Sequence, residues 1–286
     1  MSVAKAPSRT AVMSAVGRAI HREGPPPIIL DDRLAMTLAG DGAAAMAQRL
    51  RQDMPGDVLM GFARWIAARA RLSEDVILDA VRAGAGQVVI LGAGLDSFAY
   101  RQGPLTERAR VFEVDHPASQ LWKREHLAHA GIAEPENLIY APVDFEVQTL
   151  YDGLARVGFS FDAPAVFSWI GVTMYLTLPA IESTLRTVSR CSPGSKVVLT
   201  YNLPPSHLDA RDASLMAAVR ALATDLGEPF ISFFTPNEAE DLARRCGLDE
   251  VVHFSAKDAA QRYFGELHDP WVGGAQGMIV ASVPSN

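Results

Sequence analysis

The stretch Gln87-Val88-Val89-Ile90-Leu91-Gly92-Ala93-Gly94-Leu95-Asp96-Ser97 decides the fold. An apolar, largely β-branched run passes straight into two glycines and then into a helix-like segment, the first strand–turn–helix of a nucleotide-binding sheet. The glycines allow a tight turn and let a ligand lie against the backbone with no Cβ in the way. A pyrophosphate-binding loop needs a third glycine three residues after the second, and that place holds Ser97. Taken alone, the loop is also compatible with a strand that merely turns through glycines, with Asp96 or Ser97 capping the helix.

Outward from this loop the pattern alternates. Short apolar runs lie at 87–91, 110–114, 138–143, 164–170, 196–202, 250–255 and 277–283, with helix-like stretches between most of them. Alternation of this kind predicts an α/β fold, a mainly parallel sheet covered on both faces. The last two runs are separated by what reads as a long loop, which points to an antiparallel seventh strand. Thr235-Pro236-Asn237-Glu238 is a capping box opening a helix that runs to Cys246, with Gly247 beyond its end.

Before the loop, 8–20 reads as a short helix stopped by Gly24-Pro25-Pro26-Pro27, and 31–52 reads as helical. The helix predicted over 57–82 aligns Phe62, Ile66, Leu72, Val76 and Ala80 on one side. Residues 1–56 are expected to form an N-terminal helical cap. The longest insertion between strands, 203–230, carries a helix at about 211–225 and is expected to act as a lid. The whole chain, 1–286, reads as a single domain.

Composition excludes several functions. A net charge of −7 disfavours a nucleic-acid partner, and 49% hydrophobic with 21% charged residues is ordinary globular composition. Cys191 and Cys246 have no metal or disulfide spacing and read as reduced core thiols. No apolar run is long enough to span a membrane, and the N-terminal stretch lacks a signal-peptide core, so a cytoplasmic location is expected.

Three further features lie where a ligand would touch such a sheet. Asp115, 21 residues beyond Gly94 at the end of the second strand, suits a carboxylate holding ribose hydroxyls. Glu113 competes on spacing, since period-two alternation puts both on one face, and the strand's end favours Asp115. Asp144 and Phe145 end the third strand, where a carboxylate and a ring can read adenine. Arg69 lies within the apolar stripe of the 57–82 helix, and a guanidinium there needs a partner, such as a ligand carboxylate or a structural ion pair. S-adenosylmethionine fits this set because it has no phosphate and needs only the Gly-x-Gly loop. No His–acid pair suggests a catalytic dyad: His116 reads as shaping a turn and His253 as lying on a strand face. Tyr175, Tyr201 and Tyr263 are candidates to face an acceptor.

The blocks GFARWIAARARLSEDVI, QVVILGAGLDSFAYR, VFEVDHPASQLWKREHL, PVDFE and FSWIGVTMYLT resemble the leucine carboxyl methyltransferase family. They are most similar to its bacterial S-adenosylmethionine-dependent O-methyltransferase branch, some of whose relatives methylate polyketide-type metabolites. The resemblance runs from about Ser8 to Phe264. It implies a Rossmann-like class I methyltransferase, with a seven-stranded sheet whose last strand is antiparallel, acting on a carboxylate or hydroxyl of a small molecule or peptide terminus in secondary metabolism. It implies that Arg69 binds the cofactor carboxylate, that Gly92, Ala93 and Gly94 form the loop, that Asp115 holds the ribose, and that Asp144 and Phe145 hold the adenine. Arg18 is a loosely aligned second carboxylate ligand. Where many relatives carry Glu at the end of the fourth strand, this chain has Ile170. That departure leaves room for a cofactor-binding module without turnover, and an NAD-dependent oxidoreductase is a weaker alternative disfavoured by Ser97.

Overall fold

The computed structural model describes residues 8–102, 108–144 and 148–285. Four helices come first: α1 Arg9–Glu23, α2 Ala35–Ala39, α3 Ala43–Asp53 and α4 Gly56–Arg82. Ser8 caps α1, and the chain leaves it at Gly24. The region expected as one helix over 31–52 is two, because Gly40 adopts φ +62° and breaks it.

The sheet strands are β1 Gln87–Leu91, β2 Arg110–Asp115, β3 Leu138–Pro142, β4 Ala165–Trp169, β5 Lys196–Asn202, β6 Asp249–Phe254 and β7 Gln276–Ser282. Their spatial order is β3-β2-β1-β4-β5-β7-β6. The first five are parallel, and β7 runs antiparallel between β5 and β6. The order reverses at β1, so a ligand crevice is expected beyond the carboxyl ends of β1 and β4.

Interleaved helices are α5 Phe98–Arg101, α6 Pro117–His129, α7 Leu150–Arg156, α8 Leu178–Val188, α9 Ala210–Asp225, α10 Pro236–Arg245 and α11 Ala256–Phe264. The capping box of Thr235 and Glu238 opens α10 as the sequence requires. A second capping box, Ser255 with Asp258, opens α11 between β6 and β7, so the segment read as a loop is helical.

Alternate strand residues feed two cores. Val89, Phe112, Phe167, Val197 and Ile279 pack on α7, α8 and α10. Val88, Ile90, Val111 and Val166 meet Ile77 and Val81 of α4 on the other face, while Trp65 and Leu72 of α4 pack with Val198, Met278 and α11. Each large apolar side chain so buried contributes roughly 1.5–3 kcal/mol. The opening half of α4 instead joins α1 and α3 through Val58, Leu59, Phe62 and Ile66. One long helix therefore fixes the N-terminal helices against the sheet. Cys191 and Cys246 are free and buried.

Candidate functional site

A cavity of about 260 Å³ opens at the carboxyl ends of β1, β2, β4 and β5. Its floor is the glycine loop and the β4 end. Its roof is α1, through Ala11 and Ser14, and α9, through Leu215, Met216 and Val219.

Gly92 and Gly94 adopt φ of +62° and +47°, a region L side chains seldom occupy. A Cβ on Gly92 would lie 2.5 Å from Val172, so the loop and the β4 end close on each other only through glycine. The loop is tied to β2 from two directions. Ala93 N–H donates to the Val114 carbonyl at 3.1 Å, and Gly94 N–H donates to Asp115 Oδ2 at 2.6 Å. Asp115 Oδ1 accepts the His116 N–H at 2.6 Å. Burial raises the Asp115 pKa, and those two backbone donors oppose the rise.

The structure separates the two acids that spacing left open. Glu113 is fully buried and ion-paired to Lys123 Nζ at 2.7 Å, and the same ammonium donates to the Asp96 carbonyl at 2.6 Å. Glu113 braces the back of the loop, while Asp115 lines the cavity. His116 caps α6, its Nδ1 accepting the Ala118 N–H, as expected of a turn-shaping residue.

Arg69 projects from the middle of α4 into the cavity wall and is buried. Its Nη1 donates to Gln276 Oε1 at 2.9 Å and its Nη2 to Ser14 Oγ at 3.2 Å. Gly171, at φ +76°, lies against the guanidinium, where a Cβ would come within 3.0 Å of Nη2. Arg69 makes no salt bridge among the described residues. Burial lowers its pKa to about 10, with Tyr175 opposing and Arg18 adding to the fall. It therefore remains a cation at neutral pH, and its partners among the described residues are neutral, so such a charge fits a carboxylate supplied by a ligand.

Arg18, aligned loosely as a second carboxylate ligand, already has a structural partner. Its Nε donates to Asp32 Oδ2 at 2.7 Å and its Nη2 to the Leu95 carbonyl at 2.7 Å. Ser97 Oγ also donates to Asp32, at 2.7 Å. This explains why a serine stands where a pyrophosphate loop would have glycine.

Asp144 follows β3, directly beyond Val143, whose N–H donates to the Asp115 carbonyl at 3.0 Å. Its carboxylate is about a third exposed, lies 3.9 Å from His116 Nε2, and does not line the cavity. Phe145 lies outside the described residues.

Of the three tyrosines, only Tyr175 lines the cavity, packed edge-on against Phe230 with centroids 5.4 Å apart. Burial raises its pKa to about 12. Tyr201 points to the opposite face of β5, where its hydroxyl meets His253 Nε2 at 2.7 Å. Tyr263 turns its hydroxyl to Asp75 Oδ2 at 2.8 Å, behind α4. Both expectations are corrected: these hydroxyls hold elements together and do not face the cavity.

Two features escaped the sequence reading. Gln276, at the start of β7, accepts from both Arg69 and Trp65 Nε1 and donates its Nε2 to Asn202 Oδ1 at 2.7 Å. Glu228, just after α9, accepts from Ser8 Oγ at 2.6 Å, Arg9 N–H at 2.9 Å and the Thr10 hydroxyl. The two roof elements are thereby clasped together. A capping box signals its partner three residues away, whereas these partners lie 74 to 220 positions apart.

The pattern of the leucine carboxyl methyltransferase family matches residues 11–189. The chain belongs to that family. A relative from Bacillus subtilis, named "Putative S-adenosyl-L-methionine-dependent methyltransferase YktD", is 32% identical across 92% of this chain and 93% of its own. A similarly named protein of Streptomyces coelicolor, SCO6443, is 33% identical across 85% of this chain and 82% of its own. Among solved structures, a putative methyltransferase of Thermobifida fusca superposes with a TM-score of 0.61 at 20% identity, over 99% of this chain and 97% of that one. A protein of Streptomyces avermitilis superposes with a TM-score of 0.59 at 17% identity, over 95% and 97%. These two share the fold of this chain, and the family match adds that it is the fold of a methyltransferase.

Proposed function

We propose that this chain is an S-adenosylmethionine-dependent O-methyltransferase acting on a small molecule or peptide terminus, and that a carboxylate is the acceptor group its cavity suits best. The observation that carries the cofactor assignment is Arg69, a buried cation at the cavity wall with only neutral partners among the described residues. The remaining residues fit the same ligand. Gly92 and Gly94 offer backbone that a ligand can approach closely. Asp115, with one backbone donor on each oxygen, keeps lone pairs free for ribose hydroxyls. Asp144 lies outside the cavity lining, one position beyond Val143, whose N–H bonds to the Asp115 carbonyl, and it is proposed together with Phe145 as the adenine ligand.

When bound, S-adenosylmethionine supplies an electrophilic methyl group on a sulfonium, ready for in-line displacement. The protein's share is alignment and exclusion of water. Positioning of this type can contribute on the order of 7–11 kcal/mol. The roof of α1 and α9, clasped by Glu228, covers the cavity.

Acceptor chemistry follows from the lining. No histidine lines the cavity among the described residues. Of the lining acids, Glu74 is paired with Arg101 and Gln102, Asp96 accepts the Phe98 N–H, and Asp115 accepts two backbone N–H groups. Tyr175, with its pKa near 12, is a donor at neutral pH and not a base. A phenol or alcohol would need a base to take its proton; a carboxylate needs none. Ile170 gives the cavity an apolar wall where the family resemblance implies a Glu, and the alternative of a binding module without turnover rests on that residue.

A panel of carboxylates and matched phenols, assayed for S-adenosylhomocysteine release, tests this reading. Turnover confined to carboxylates is expected. Turnover confined to phenols would overturn the acceptor assignment, and cofactor binding with no release from any acceptor would favour the binding module.

A further inference from the structure

Asn202 and Gln276 are paired across the antiparallel β5–β7 ladder, so their side chains share one face, and both residues line the cavity. Gln276 Oε1 accepts from Trp65 Nε1–H at 2.6 Å and from Arg69 Nη1–H at 2.9 Å, two groups that can only donate. These fix which end of the Gln276 amide is oxygen. Its Nε2 must then donate, and it does so to Asn202 Oδ1 at 2.7 Å. The orientation of Asn202 is set in turn, since flipping its amide would turn NH₂ against NH₂. What remains is Asn202 Nδ2, fully buried and with no hydrogen-bond partner among the described residues. Buried N–H groups without an acceptor are rare in folded proteins. Here two obligate donors on neighbouring side chains hold one in place.

Asn202 ends β5, two strands from the glycine loop in the sheet order. Ala275, next in sequence to Gln276, belongs with Tyr175, Met216 and Phe230 to an apolar cluster that also lines the cavity. We propose that Asn202 is the specificity-determining residue for the methyl acceptor: its Nδ2 donates to a carboxylate or carbonyl oxygen of an otherwise apolar molecule seated against that cluster. Gln276 links this seat to Arg69, so the acceptor and the cofactor carboxylate are positioned by one hydrogen-bonded row. The proposal rests on the reading of Arg69 as the cofactor-carboxylate ligand.

The test is the side-chain amide spectrum of ¹⁵N-labelled protein saturated with S-adenosylhomocysteine. The Asn202 NH₂ pair is assigned by its disappearance in Asn202→Asp, an isostere that keeps the oxygen facing Gln276 and replaces the donor with an acceptor. Octanoate and phenylacetate are the probes. Both are expected to shift the Asn202 pair downfield, and to bind Asn202→Asp at least tenfold more weakly. Asn202→Ser, which retains a shorter donor, is expected to fall between. S-adenosylhomocysteine affinity within twofold of wild type shows that each variant is folded. An Asn202 signal unmoved by both acids, or acid binding undiminished in Asn202→Asp, overturns this proposal and leaves the cofactor assignment standing. Failure of S-adenosylhomocysteine to bind the wild-type protein overturns both.

Discussion

Asp115 accepts the Gly94 N–H at 2.6 Å, so the residue proposed to hold a ribose also holds the loop proposed to cradle the ligand. The carboxylate and the glycine turn form one unit, and substitution of the first disturbs the second. Asp115→Asn replaces one acceptor oxygen with a donor that must face either Gly94 N–H or His116 N–H. Loss of a charge-assisted ribose contact is expected to raise the S-adenosylhomocysteine Kd roughly tenfold to hundredfold, measurable by calorimetry. An unchanged Kd would place the ribose elsewhere.

Arg69 and Arg18 make opposite predictions although both are buried on the same cavity. Arg18 compensates Asp32, so Arg18→Ala leaves a buried carboxylate short of its main partner and should cost about 3 kcal/mol in urea unfolding. Among the described residues, Arg69 compensates no charge. Arg69→Met should leave the free protein's stability within about 1 kcal/mol of wild type while weakening S-adenosylhomocysteine roughly 100-fold. A large stability loss from Arg69→Met would mark it as structural.

His21 gives the N-terminal helix a pH limit. Its Nε2 accepts the Ile29 N–H at 3.1 Å, and burial, with Arg64 adding, lowers its pKa from 6.5 to about 4. The fold prefers the neutral ring. Its stability contribution is therefore complete above pH 6.5 and is lost as pH falls from 6.5 through 4, by up to about 3 kcal/mol. Unfolding curves for wild type and His21→Gln should converge over that window as pH is lowered. Parallel curves would show that His21 is not the titrating group.

Glu228 clasps α1 to the segment that follows α9. Glu228→Ala removes the acceptor for the α1 terminus and should cost about 1 kcal/mol of stability. Because the clasp closes the roof, dissociation of S-adenosylhomocysteine in stopped flow should be about fivefold faster. An unchanged off-rate would mean that the ligand leaves by another route.

Much of this molecule is written in local sequence. Each strand lies within about a residue of its apolar run, because β-branched runs and their flanking glycines carry their own signal. The reversed seventh strand was also legible, although the reason offered for it, a loop after β6, was not: Ser255 and Asp258 cap a helix there. The glycine loop and Asp115 could be read because one strand–turn–helix unit fixes their spacing. Tyr201 and Tyr263 could not, because the fate of a hydroxyl depends on His253 and Asp75, partners 52 and 188 positions away. The Trp65–Arg69–Gln276–Asn202 row is invisible for the same reason. It joins α4 to two strands and exists only when the sheet is assembled.

The central claim is that Arg69, the glycine loop and Asp115 together hold one S-adenosylmethionine molecule. A crystal structure of the protein with S-adenosylhomocysteine tests it most directly. The ligand's amino-acid carboxylate is expected within hydrogen-bond distance of the Arg69 guanidinium and its ribose hydroxyls on Asp115. A ligand bound with its carboxylate away from Arg69, or outside this cavity, would contradict it.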